Sequence, residues 1–93
     1  MQIIIVGCGK VGRTLAEQLQ EEDTDITLID INPDRINEIT DEVDAMGVVG
    51  NGASINTLME AGIETADILI AVTVSDEMNL LCCLIAQKTG HCH

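Results

Sequence analysis

Gly7, Gly9 and Gly12 stand in the spacing GxGxxG directly after the apolar run 3–6, and Asp30 closes the next apolar run, 26–29. These residue types in this order suit a bound nucleotide. Gly7 permits a tight turn off a strand, Gly9 lets the backbone approach a pyrophosphate, and Gly12 lets the following helix pack closely. A helix opening at that point presents N–H groups without intrahelical partners and the positive end of its dipole, so it attracts an anion with few basic side chains. An acid about twenty residues further on accepts hydrogen bonds from a ribose 2′- and 3′-hydroxyl pair and repels a 2′-phosphate. Ile31 follows where an arginine would favour NADP. NAD(H) is therefore expected over NADP, and ATP, ADP or AMP meets the same ribose requirement.

Other groups gather around this motif. Lys10 and Arg13 lie on the first turns of the helix, and with Arg35 they place three of the four basic residues of the chain beside the phosphate or ribose end. For Lys10 and Arg13 a solvated helix position explains the sequence equally well. Cys8 fills a variable position of the motif, where a helix N-terminus would stabilise a thiolate, although steric tolerance there is the simpler explanation. The run Gly50-Asn51-Gly52-Ala53-Ser54 follows the third strand on the edge where ligands of open α/β sheets collect; Asn51 could meet the adenine edge or serve a turn. Thr73, after the fourth strand, could meet the diphosphate or the second ribose. Glu77 and Asn79 could contact a ligand or a neighbouring subunit, although solvated first-turn positions are the default reading.

Groups for turnover are harder to find. Hydride transfer needs a proton donor or acceptor facing the nicotinamide, often His, Lys or Tyr. The chain has no Tyr, its two histidines are His91 and His93, and Lys88 lies at the far end of a helix. The tail His91-Cys92-His93 is read as a frayed end rather than a metal site. Cys82 and Cys83, adjacent on a helix, suit neither a disulfide with each other nor a shared metal.

The elements that must hold these residues alternate from end to end. Strands are expected at 2–6, 25–30, 46–49 and 68–73, and helices at 10–22, 33–43, 55–61 and 76–89. The strands are continuous apolar runs, which implies burial on both faces and a parallel sheet covered by helices. Asn32 with Pro33, Ser54 and Ser75 supply caps, and Gly62 and Gly90 supply stops. The expected architecture is an α/β, Rossmann-like sheet of order 3-2-1-4 with helices on both faces, one domain over 1–93. It is short of the last strands of a complete doubly wound domain. The fourth strand is then an apolar edge, and the last helix carries Met78, Leu80, Leu81, Cys82, Cys83, Leu84, Ile85 and Ala86 on nearly all sides. A helix of that kind points to a subunit interface, the alternative being cover by the further strands of a longer chain.

Composition narrows the partners. With 93 residues and 46% hydrophobic content, the chain is globular rather than disordered. Sixteen acidic and four basic residues give a formal net charge of −12, which disfavours nucleic acid and anionic lipid. No apolar run is long enough to span a bilayer, and a cytoplasmic location is expected. Without any Phe, Trp or Tyr, an adenine ring would lie between aliphatic side chains and glycine backbone.

The runs Ile-Ile-Ile-Val-Gly-Cys-Gly-Lys-Val-Gly-Arg-Thr-Leu-Ala, Ile-Thr-Leu-Ile-Asp-Ile-Asn-Pro-Asp-Arg, Val-Val-Gly-Asn-Gly-Ala-Ser and Ala-Asp-Ile-Leu-Ile-Ala-Val-Thr, with Asp76-Glu77-Met78-Asn79, carry a family resemblance. Together they resemble the N-terminal nucleotide-binding domain of Trk-type potassium-uptake regulators, the RCK or KTN family, over essentially the whole chain. The resemblance implies a cytosolic regulatory domain that binds NAD(H) or ATP/ADP. It also implies homo-oligomers, dimers that form a ring beneath a membrane potassium channel or transporter, with nucleotide exchange gating transport. It places phosphate binding at Gly7, Gly9, Lys10, Val11 and Gly12, with Cys8 inside that loop, and ribose binding at Asp30 beside Ile31. Adenine-side contacts fall near Arg35, Asn51, Gly52 and Ala53, with Thr73 near the diphosphate. The alternative reading is the NAD-binding cofactor domain of an oxidoreductase, which would need a catalytic segment that this sequence lacks.

Overall fold

Apolar runs and helical stretches alternate in the computed structural model as they do in the sequence; the structure describes residues 1–89. The elements are β1 (Gln2–Val6), α1 (Lys10–Leu19), β2 (Asp25–Asp30), α2 (Pro33–Thr40), β3 (Ala45–Val49), α3 (Ile55–Glu60), β4 (Ile68–Ala71) and α4 (Asp76–Thr89). The strands form one parallel sheet of order β3-β2-β1-β4, the expected Rossmann-like arrangement. Ile5 sits at its centre, paired with Leu28 of β2 and Ile70 of β4.

Alternation along β1 divides the core into two layers. Ile3 and Ile5 point to one face, with Ile26 and Leu28, and pack against Ala16 of α1 and Ile36 and Ile39 of α2. Ile4 and Val6 point to the other, with Ile29 and Val48, against Leu58 of α3 and Cys82 and Ala86 of α4. Each fully buried Ile or Leu contributes about 1.5–3 kcal/mol relative to an exposed one, so burial on both faces fixes the register of the sheet.

Local chemistry sets the ends. Asn32 caps α2, its Oδ1 accepting from Asp34 N at 2.9 Å, and Pro33 occupies the first turn. Ser75 caps α4, its Oγ accepting from Met78 N at 3.2 Å. The helix α3 ends in a Schellman motif: Ile63 N donates to Leu58 O and Gly62 N to Met59 O, with Gly62 at φ +91°. Leu58 and Ile63, the two residues bridged by this motif, are fully buried.

Several boundaries differ from the sequence expectation. The first helix stops at Leu19 rather than 22, because Gln20 turns extended and the acidic stretch beyond it has no apolar side chain to bury. The second stops at Thr40 rather than 43, although Val43 still packs in the core. The third stops at Glu60, one residue early, and Ser54 makes no side-chain cap bond. The third strand begins one residue earlier, at Ala45. The fourth stops at Ala71, so Thr73 belongs to a loop. The expected stop at Gly90 and the His91-Cys92-His93 tail lie outside the described residues.

The last helix is apolar on more than one side but buried on only one. Cys82 and Ala86 are buried against the sheet, while Leu80, Leu81, Cys83 and Leu84 are exposed. Among the described residues no helix is long and apolar enough to cross a membrane.

Candidate functional site

The carboxyl ends of the four parallel strands open on one edge of the sheet, where Gly7, Ile31, Gly50 and Val72 lead into loops. Backbone bonds carry the sheet pairing a step further. Gly7 N donates to Ile29 O at 2.8 Å, Gly50 N to Asp30 O at 3.0 Å and Val72 N to Val6 O at 2.8 Å. These loops surround a cavity of about 210 Å³ lined by residues of all four strand ends.

The three motif glycines meet different demands. Gly7 has φ +107°, and a Cβ there would lie 2.9 Å from the Val72 carbonyl carbon, so the fold itself requires glycine. Gly12 is buried in α1, where a Cβ would stand 1.8 Å from Gly7 O; the close approach is of the helix to the turn before it rather than to the sheet alone. Gly9 caps α1 with φ −75° and ψ −163°, open to any residue, and a Cβ there would meet nothing within 4 Å. Gly9 lines the cavity, so a side chain at that position would project into open space beside the N-terminus of α1.

Asp30 closes β2 and is 9% exposed. Its Oδ2 accepts from Cys8 N at 2.8 Å and its Oδ1 from Asn32 N at 2.9 Å. The carboxylate therefore ties the glycine turn to the start of α2, and its remaining lone pairs border the cavity it lines. Cys8 is 5% exposed. Burial, reinforced by the neighbouring Asp30 carboxylate, pushes its thiol up to about 12, with Arg35 opposing the shift. The neutral thiol, not a thiolate stabilised at the helix N-terminus, is favoured: Cys8 is turned inward, its Sγ 3.8 Å from Ile29 O. Desolvation outweighs the helix dipole.

Gly7, Gly9, Asp30, Ile31, Arg35, Gly52 and Thr73 line the cavity, which brings both ends of the expected site together. Ile31 is 73% exposed at its rim. Lys10 and Val11 are exposed on the first turn of α1 beside Gly9. Asn51 directs Oδ1 to Ala53 N at 2.8 Å, forming a turn next to Gly52. Arg13 pairs instead with Glu17, at 3.4 Å, and with Glu42, joining α1 to the segment after α2.

Sequence reasoning passed over part of the lining: Ile29, Val72, Val74 and Met78 form its apolar wall. The signal for Ile29 and Val72 was their position at strand ends, whereas Val74 and Met78 come from the β4–α4 loop and the first turn of α4 beside the 3-2-1-4 reversal of order. Asn79, by default a solvated first-turn residue, is instead tied to the loop before α4. In the structure, Asn79 Oδ1 accepts from Thr73 N at 2.9 Å and Thr73 Oγ1 at 2.6 Å, and its Nδ2 donates to Thr73 O at 3.1 Å. Among the described residues, no group of three or more His, Cys, Asp or Glu side chains is placed to hold a metal ion.

Comparison with known proteins places this geometry in a family. The family model of the TrkA-N domain matches residues 3–93. The Trk system potassium uptake protein TrkA of Azorhizobium caulinodans is 46% identical over 88 residues, covering 95% of this chain and 19% of that protein. The corresponding protein of Halomonas elongata is 48% identical over 87 residues, covering 94% of this chain and again 19% of its relative. The chain thus spans about a fifth of the length of these curated relatives. Among solved structures, the TrkA-N domain of the inner membrane protein ybaL from Escherichia coli superposes with a TM-score of 0.85 at 25% identity, covering 96% of this chain and 65% of that one. The Shewanella denitrificans Kef C-terminal domain in AMP bound form shares the fold, with a TM-score of 0.81 at 22% identity, covering 95% and 52%. With a family match over nearly its whole length, behind a glycine turn, a buried Asp30 and a 3-2-1-4 sheet, the chain belongs to the TrkA-N domain family.

Proposed function

We propose that the chain is a nucleotide-sensing regulatory domain of a potassium uptake system, taking NAD(H) or an adenosine nucleotide such as ATP, ADP or AMP. The observation that carries this reading is Gly9. Glycine costs roughly 0.5–1 kcal/mol of backbone entropy relative to alanine in a regular element, and serine or aspartate would cap α1 at least as well. Nothing in the protein crowds Gly9, whereas a phosphate seated on the N-terminus of α1 would.

The remaining groups fit the same ligand. Phosphate oxygens meet the first N–H groups of α1, with Lys10 and Val11 at the rim. The ribose hydroxyls meet the free lone pairs of Asp30. The adenine lies toward Ile31 and Arg35, between aliphatic side chains, with Asn51, Gly52 and Ala53 on its far side. Thr73 borders the diphosphate. A fold neighbour, the Kef domain, is in an AMP bound form, which agrees with a site for an adenine nucleotide in this architecture.

The regulatory reading is favoured over hydride transfer because Asp30 and Arg35 are the charged side chains lining the cavity among the described residues, and Asp30 already accepts two backbone bonds. Its relatives are named as Trk system potassium uptake proteins. The chain would act at the cytoplasmic side of a membrane potassium channel or transporter, as part of a homo-oligomer. The exposed Leu80, Leu81 and Leu84 of α4 offer a contact face. Two ligands with different affinities for two arrangements of the oligomer would shift the balance between them and so gate transport.

Amide chemical-shift mapping tests the site. Adding ADP or NAD⁺ is expected to move the amides of Gly9, Lys10, Ile31 and Thr73 and to leave those of Glu60 and Asp67 in place. Shifts confined to the opposite edge of the sheet, or none at all, would reject the reading.

A further inference from the structure

The loop between β4 and α4 supplies Val72, Thr73, Val74 and Ser75 to the cavity, yet the strand has already ended at Ala71. Backbone groups in such a loop need partners. The side-chain amide of Asn79 provides two of them, accepting from Thr73 N at 2.9 Å and donating to Thr73 O at 3.1 Å. This orientation of the amide is the one that satisfies both bonds. Thr73 Oγ1 adds a 2.6 Å bond to the same Asn79 oxygen and accepts from Ser75 N at 3.2 Å.

Asn79 is not needed as a cap, because Ser75 Oγ already accepts from Met78 N. It is also a poor residue for a helix interior, since its amide competes with the backbone. On its other side, Thr73 closes against the glycine turn: Thr73 N lies 3.0 Å from a Cβ built on Gly7. One side chain on α4 thus holds the peptide that walls the phosphate end.

We infer that Asn79 is a positioning residue for the nucleotide site, clamping residues 73–75 in the shape that forms the cavity and fixing that wall to α4. The inference rests on the nucleotide reading above and adds the group that couples the site to the helix. A displacement of α4 carries Thr73 with it.

The test compares the wild-type chain, Asn79→Ala and Ala86→Gly, the last loosening the same helix away from the loop. Calorimetric titration with ADP and with NAD⁺ is expected to show about tenfold weaker binding for Asn79→Ala, as when the loop holds its binding shape a tenth of the time. Ala86→Gly is expected to bind within twofold of wild type. Equal affinity of Asn79→Ala and wild type would overturn the inference, as would an equal loss in Ala86→Gly. If wild type binds neither probe, the nucleotide reading itself fails. Amide hydrogen exchange gives a check that does not depend on the variant folding: Thr73 N–H is expected to be protected in the wild-type chain, and exchange at the unprotected rate would refute the clamp.

Discussion

Replacing Gly9 and Gly12 by alanine, one at a time, separates ligand space from folding space. At Gly12 the new Cβ would stand 1.8 Å from Gly7 O, so α1 must move off the turn. Overpacking of that kind costs roughly 1–3 kcal/mol or more. At about 4–8 °C per kcal/mol for a domain of this size, Gly12→Ala lowers the melting temperature by roughly 5–20 °C. At Gly9 the Cβ meets nothing within 4 Å and φ is −75°. The unfolded chain loses freedom worth about 0.4–1 kcal/mol, and the poorer cap costs about 0.5–1 kcal/mol, so stability changes by no more than about 0.5 kcal/mol. On the proposed function the same methyl group would stand where the phosphate sits, and affinity for ADP is expected to fall at least about 100-fold, roughly 2.7 kcal/mol. Thermal denaturation followed by circular dichroism reads the first quantity and titration calorimetry the second. A Gly9→Ala protein that melts as low as Gly12→Ala, or that binds ADP like wild type, would refute the reasoning.

Four other outcomes follow from particular contacts. Asp30→Ala leaves Cys8 N buried without its acceptor, at about 1–3 kcal/mol, and removes the proposed ribose partner, so both melting temperature and nucleotide affinity are expected to drop; unchanged stability would contradict the bond to Cys8. The Cys8 thiol, held near 12 against an ordinary value of 9.0, favours the folded state fully below pH 9, and that contribution is lost as pH rises from 9 through 12; denaturant titrations at pH 8 and pH 11 should show the loss, and Cys8→Ala should reduce it. Alkylation at pH 8 should label the exposed Cys83 before Cys8, read by mass spectrometry of peptides. Leu58→Ala should cost about 2–5 kcal/mol, because Leu58 is fully buried and its carbonyl closes the Schellman motif with Ile63, whereas Leu84→Ala on the exposed side of α4 should stay within about 0.5 kcal/mol.

What the sequence made legible was whatever depends on local pattern. Apolar runs at 3–6 and 68–71, and 26–29 broken only by Thr27, dictate strands covered on both faces, and the alternation with helices leaves few orders for a parallel sheet. Asn32-Pro33 and Ser75 act through neighbours two or three residues away, so their caps were readable. The end of α1 is not, because helix propensity continues past the last residue that has something to pack against, and α2 ends at Thr40 although Val43 beyond it is buried. Ser54 shows the reverse case, a cap residue whose side chain makes no cap bond. The site divides in the same way. The glycine spacing and Asp30 mark its place, but the bond from Cys8 N to Asp30 joins residues 22 apart across two strands. Nothing in the spacing reveals that Arg13 is taken by Glu42, or that Cys8 faces the core.

The central claim is that the cavity over the glycine turn takes a nucleotide with a free ribose diol. Its most direct test is titration calorimetry of the purified chain with NAD⁺, NADH, ATP, ADP and AMP, with NADP⁺ as the discriminating ligand. Saturable binding of at least one of the first five is expected, with weaker binding of NADP⁺ than of NAD⁺ and loss of the signal in Asp30→Ala. Absence of binding by all five, or NADP⁺ binding more tightly than NAD⁺, would contradict it.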